Sequence, residues 1–149
     1  MGLDMYLTAE KYLSDYTEAD QPLKSQLNEM AVPAGLKGKL NRIRAEAAYW
    51  RKANAIHDWF VRECQDGVDE CQSTWVTREK LGELVMLCKQ ILDNRKLASE
   101  LLPTASGFFF GSTEYDEWYY DDLKRTVDML EPLLDEEYAD WDFHYQSSW

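Results

Sequence analysis

The chain has 149 residues, 45% of them hydrophobic, and its 16 lysines and arginines face 28 aspartates and glutamates for a net charge of −12. That length and apolar content suit one domain with a real core and leave too little for two. So acidic a surface repels nucleic acid and anionic membranes, which excludes direct binding to either as the main activity.

The first predicted element is a strand. In "GLDMYLT", Leu3, Met5 and Leu7 alternate with Asp4, Tyr6 and Thr8, the period-2 pattern of a strand with one buried face. Asp20, Gln21 and Pro22 then start a short helix carrying Leu23, Leu27 and Met30, which "VPAG" ends. A long helix is expected from about Lys39 to Cys64. Its apolar stripe, Ile43, Ala47, Trp50, Asn54, His57, Val61 and Cys64, includes an asparagine and a histidine that need polar partners when buried. Between Gly35 and Arg62 seven basic residues, Lys37 among them, stand against two acidic ones. Thr77 caps the next helix, which presents Leu81, Leu84, Val85, Cys88, Ile91 and Leu92 to a core until "DNRK" and Pro103. "GFFFG" at 107–111 is aromatic and bounded by glycines, so it reads as a second strand, pairing about 107–110 with about 3–7. Ser112 or Thr113 caps a last helix through about Glu131, which Pro132 ends. The tail 135–149 mixes acids and aromatics without a clear period.

The expected fold is therefore mainly α: a single-domain helical bundle with a small two-stranded sheet. Residues 1–134 make the globular domain, and 135–149 an acidic aromatic tail that packs on it or hangs free. The cysteines Cys64, Cys71 and Cys88 are odd in number and lack metal-ligand spacing, so they read as free thiols of a reducing cytosol. No secretory signal and no bilayer-spanning stretch is visible, so a cytoplasmic location is expected.

The chemistry-bearing residues gather in two stretches. In "YWRKANAIHDWF" (49–60), Arg51 and Lys52 suit phosphate, Asn54 and His57 suit hydroxyls or base edges, and Trp50 suits stacking on a ring. In "GSTEYDEW" (111–118), Ser112 and Thr113 sit where free backbone N–H groups meet a positive dipole end. Glu114 and Asp116 oppose an anion there and suit sugar hydroxyls or a base edge, while Tyr115 offers a stacking face. Asp116 and His57 both point inward on the predicted faces, so they are expected to meet, with Asp116 fixing the imidazole tautomer. The plainer reading of both stretches is an aromatic core with a structural hydrogen-bond network. Zinc, nucleotide-loop, dinucleotide and serine-hydrolase motifs are all missing, and no cofactor or metal is expected.

The segments "MGLDMYL", "YWRKANAIHDWF" and "LLPTASGFFFGSTEYDEWYYDDLKRTVDML" resemble a family of small uncharacterised proteins of tailed phages and prophages. The resemblance implies a phage accessory protein made in a bacterial cytoplasm, and it carries no functional residue with it. Three functions follow. The first is a non-catalytic binder that sequesters a small nucleotide-like defence signal through Trp50, Arg51, Lys52, Asn54, His57, Ser112, Thr113, Glu114, Tyr115 and Asp116. A second is an acidic, nucleic-acid-mimicking inhibitor of a host nuclease or other host defence protein, carried by the balance of −10 between Glu114 and Trp149. The third is a small nucleotide hydrolase using His57 and Asp116. Self-association is left open.

Overall fold

The computed structural model describes residues 2–36 and 39–149, so Lys37 of the basic segment lies outside the described residues. The strands are β1 (Asp4–Tyr12), β2 (Arg42–Arg51), β3 (Thr74–Val76) and β4 (Asp142–Ser148). They form one antiparallel sheet in the order β2-β1-β4-β3. The helices are α1 (Gln21–Ala31), α2 (Asn54–Cys64), α3 (Arg78–Asp93), α4 (Ala98–Leu101) and α5 (Glu117–Leu130). This α/β arrangement overturns the expected helical bundle with a two-stranded sheet. No described helix is long and apolar enough to cross a membrane.

The sheet has one apolar face because the alternation holds across its strands. Met5 lies between Trp50 and Ser147, Leu7 between Ala48 and Tyr145, and Ala9 between Ala45 and Phe143. Helices α2, α3 and α5 cover that face with Phe60, Leu84, Cys88, Ile91, Leu123 and Leu130, and all join one core. Each large side chain withdrawn from water there contributes roughly 1.5–3 kcal/mol before chain entropy is charged against it.

One expectation fails at the joint between β2 and α2. The predicted helix from Lys39 to Cys64 divides into β2 and α2, and Lys52 makes the reversal with a left-handed φ of 57°. Arg, Ala and Glu favour helix intrinsically, and Ile43, Ala47 and Trp50 happen to fall at helical spacing. A bulge opposite Leu7 and Thr8 disguises the strand period, because it inserts Ala47 between the partners of those two residues. Pairing with β1 and full burial of Trp50 override propensity, and the indole N–H donates to Thr126 Oγ1 at 2.8 Å.

The aromatic stretch 107–110 is a turn, not the partner of 3–7. Its link to the N-terminus is the Leu3 N–H donating to the Phe109 carbonyl at 3.2 Å. The Phe110 N–H closes back on the Gly107 carbonyl at 3.2 Å, and a Cβ at Gly107 would lie 2.5 Å from the Phe110 ring, so any side chain there would have to displace that ring. The place meant for that stretch beside β1 belongs to β4, built from the acidic tail. There Phe143, Tyr145 and Ser147 are buried in alternation, in an interior strand of the sheet.

Helix ends follow local chemistry. Thr77 caps α3, accepting from the Lys80 N–H at 3.1 Å. The cap of α5 is Asp116 rather than Ser112 or Thr113, with Oδ1 accepting from the Tyr119 N–H at 3.1 Å. Beyond Leu130 the chain tightens into a short 3-10 turn at Glu131–Leu134 that includes Pro132.

Candidate functional site

Helix α2 carries two polar groups on its inner face, and they have different fates. His57 is 1% exposed. Its Nε2–H donates to Asp69 Oδ2 at 2.9 Å, which leaves Nδ1 to accept the Tyr145 hydroxyl at 2.7 Å. With the proton on Nε2 facing the carboxylate oxygen, Nδ1 is the acceptor of that tautomer. The Trp149 indole donates to the other oxygen of Asp69 at 3.1 Å, and Phe110 closes edge-on over the imidazole with centroids 5.0 Å apart. Burial drives the Tyr145 phenol well above its usual range, so it stays protonated and donating. The histidine is thus a sealed junction tying α2 to β4 and the 66–73 loop. It meets Asp69 and Tyr145 instead of Asp116, whose side chain is committed to capping α5. The His57–Asp116 pairing expected for a hydrolase is not formed.

One turn earlier, Asn54 is buried and likewise fully engaged. Its Nδ2 donates to the carbonyls of Phe110 at 3.0 Å and Ser112 at 2.8 Å, and its Oδ1 accepts from the Ala105 N–H at 3.0 Å. Asn54 therefore fastens the loop that follows α4 onto the start of α2. The loop is reinforced by Thr104, whose hydroxyl donates to the Thr113 carbonyl at 2.9 Å and whose N–H donates to the Tyr115 hydroxyl at 3.2 Å.

Between this loop, the β2–α2 reversal and α5 lies a cavity of about 350 Å³. Of the residues singled out from sequence, Arg51, Lys52, Asn54, Ser112, Glu114 and Asp116 line it. Trp50 does not, being wholly in the core, and His57 is sealed away behind Asn54. Thr113 contributes its carbonyl to the loop, and the Tyr115 ring packs edge-on against Tyr119, 5.1 Å away. Trp118, Asp122 and Arg125 also line the cavity, and sequence reasoning missed the last two. Their spacing of four and three places them on one face of α5, a signal present in the sequence but overshadowed by the apolar stripe through Leu123.

The electrostatics of this cavity are unusual for so acidic a chain. Arg51, Lys52 and Arg125 have no carboxylate within ion-pair distance among the described residues, although Glu114, Asp116 and Asp122 line the same space. The Arg125 guanidinium instead reaches the Tyr49 carbonyl at 3.5 Å. Asp122 is pushed up to about 6 by burial, only partly offset by Arg125. The first turn of α2 adds positive potential. Its N-cap is Ala53, which offers no side-chain acceptor, and no acid occupies the first turn. The backbone N–H groups of Ala55 and Ile56, both residues of the cavity wall, have no acceptor among the described residues. Trp118, 81% exposed, supplies an open aromatic face.

No group of three or more His, Cys, Asp or Glu side chains is placed to hold a metal ion among the described residues. Burial raises the Cys64 thiol to about 11 and the Cys88 thiol to about 12, so neither is an activated nucleophile. No family model, curated protein or solved structure matches the chain, so the resemblance to phage proteins remains an expectation from sequence.

Proposed function

We propose that the protein binds a small nucleotide-like ligand in this cavity and holds it without chemistry, as a phage accessory protein withholding a defence signal in the host cytoplasm would. The observation that carries the reading is a set of cations, Arg51, Lys52 and Arg125, unpaired among the described residues, around a cavity that also receives the N-terminus of α2 without a side-chain cap. Together these favour a phosphate. Glu114 and Asp122 suit the donors of a sugar or base edge, and Trp118 suits stacking at the mouth. The volume is at the lower end of the range for small-molecule sites and fits one nucleotide unit. His57, Trp50, Thr113 and Tyr115 drop out of the ligand set and act as scaffold.

Thermal shift with nucleoside monophosphates, cyclic nucleotides and ADP-ribose tests this. A ligand at a hundred times its dissociation constant adds about 2.7 kcal/mol to stability. Arg51→Ala with Lys52→Ala should weaken binding at least about tenfold while the free protein melts within about 0.5 kcal/mol of wild type, since both side chains are exposed. The absence of any shift across the panel would end the reading.

The acidic-inhibitor alternative calls for a different experiment from simple removal of the tail, because deleting 135–149 extracts interior strand β4. Asp135, Glu136 and Glu137 are exposed and precede β4, so neutralising them leaves the sheet intact. Loss of salt-sensitive binding to a basic host protein in that triple variant would favour the inhibitor.

A further inference from the structure

At Arg44–Glu46 the outer edge of β2 carries a pattern that nothing among the described residues uses. Among the described residues β2 pairs with β1 alone, and Arg44, Ala45 and Glu46 are exposed. Hydrogen-bonded and non-bonded pairs alternate along an antiparallel ladder. The Leu13 N–H donates to the Asn41 carbonyl at 2.8 Å, so counting on from Asn41 turns the backbone groups of Arg44 and Glu46 away from β1. The charges divide in the same way. Arg42 is engaged by Glu10 at 2.7 Å, whereas Arg44 and Glu46 have no ion-pair partner among the described residues.

We propose that the chain forms a homodimer by antiparallel pairing of two β2 edges about a two-fold axis at Ala45, fusing two sheets into one. A cation and an anion two residues apart on a free strand are self-complementary in this register. Arg44 of each copy faces Glu46 of the other, and their outward N–H and carbonyl groups bond reciprocally. Centring the axis on Arg44 would use the same backbone groups but set the two guanidinium groups opposite each other, which like-charge repulsion disfavours. Lone edge charges usually serve to deter pairing. Here the alternating signs deter strands of other charge pattern while matching a second copy.

Sedimentation equilibrium of the full chain at low salt, over a micromolar concentration series, tests the proposal. Wild type should show a monomer–dimer equilibrium. Arg44→Glu and Glu46→Arg should each weaken it about tenfold or more, because both reciprocal attractions become repulsions, while circular dichroism and melting temperature stay those of wild type. Mixing the two variants should restore association as a heterodimer, since one then presents only carboxylates and the other only cations. A wild-type chain that stays monomeric, single variants that associate as tightly as wild type, or a mixture no tighter than its components would each overturn it.

Discussion

The two ends of α2 show opposite treatments of buried polarity. Near the middle of the helix, His57 is enclosed until both nitrogens are satisfied by Tyr145 and Asp69, and the result is a strut. At the N-terminus, Ala53 offers no side-chain cap to the Ala55 and Ile56 N–H groups, and among the described residues the neighbouring Arg51 and Lys52 have no counter-charge within ion-pair distance. An unsatisfied buried group is expensive, so the completed network needs no further partner, whereas the open one three residues away is where the proposed ligand would supply the missing acceptor. On the proposed function the same stretch of sequence holds a structural element and a binding element, and only partner geometry tells them apart.

That contrast can be broken by substitution, and the largest effect belongs to the sealed end. His57→Ala removes a buried ring and strands the Tyr145 hydroxyl and Asp69, so urea denaturation should show a loss of about 3–4 kcal/mol. The folded fraction should keep its affinity for an anionic ligand. A variant that stays stable but no longer binds would invert the comparison. Asn54→Leu orphans two carbonyls and one N–H of the loop, and should cost about 2–3 kcal/mol with faster proteolysis between 105 and 112.

Asp122 separates the two ends by pH. Its ordinary value is 3.8 and its folded value about 6, so between the two the folded chain holds a proton that the unfolded chain has released. The contribution of this group to stability therefore falls as pH rises from 4 to 6 and stays at its lower level above that. Asp122→Asn should flatten that slope and, with solvent screening discounted, raise stability at pH 7 by about 1 kcal/mol. The smallest and most pointed change is Ala53→Ser, which offers α2 the missing cap. It should add about 0.5–1 kcal/mol by thermal melting and at the same time weaken anion binding, because the hydroxyl occupies the N–H groups a ligand would take. Stabilisation with unchanged binding would remove the helix end from the site.

Much of the local structure was legible beforehand. The alternation of Met5 and Leu7 located β1, Thr77 located the start of α3, and Pro132 the end of α5, because each signal acts within a few residues. β2 and β4 were not legible, for two different reasons. "RIRAEAAYW" carries helix-favouring residues and a bulge that scrambles its period, while "DFHYQSS" carries the correct alternation but follows directly on the acids of 135–142. The cavity was legible in part: Arg51, Lys52 and Asn54 from one stretch and Ser112, Glu114 and Asp116 from another do line one space. The pairing of His57 was not, since Asp69 and Tyr145 are brought to it by a loop and a strand whose docking leaves no mark near residue 57.

The amino-acid order by itself determined the acidic surface, the capped helices and the need for polar partners on the inner face of residues 54–57, all consequences of composition and spacing within a turn or two of chain. The tertiary structure alone decided which segment fills the place beside β1, which partners silence His57, and which cations are left without a counter-charge. Strand pairing and charge matching are contests between segments far apart in sequence, and their outcome depends on which contacts all fit at once.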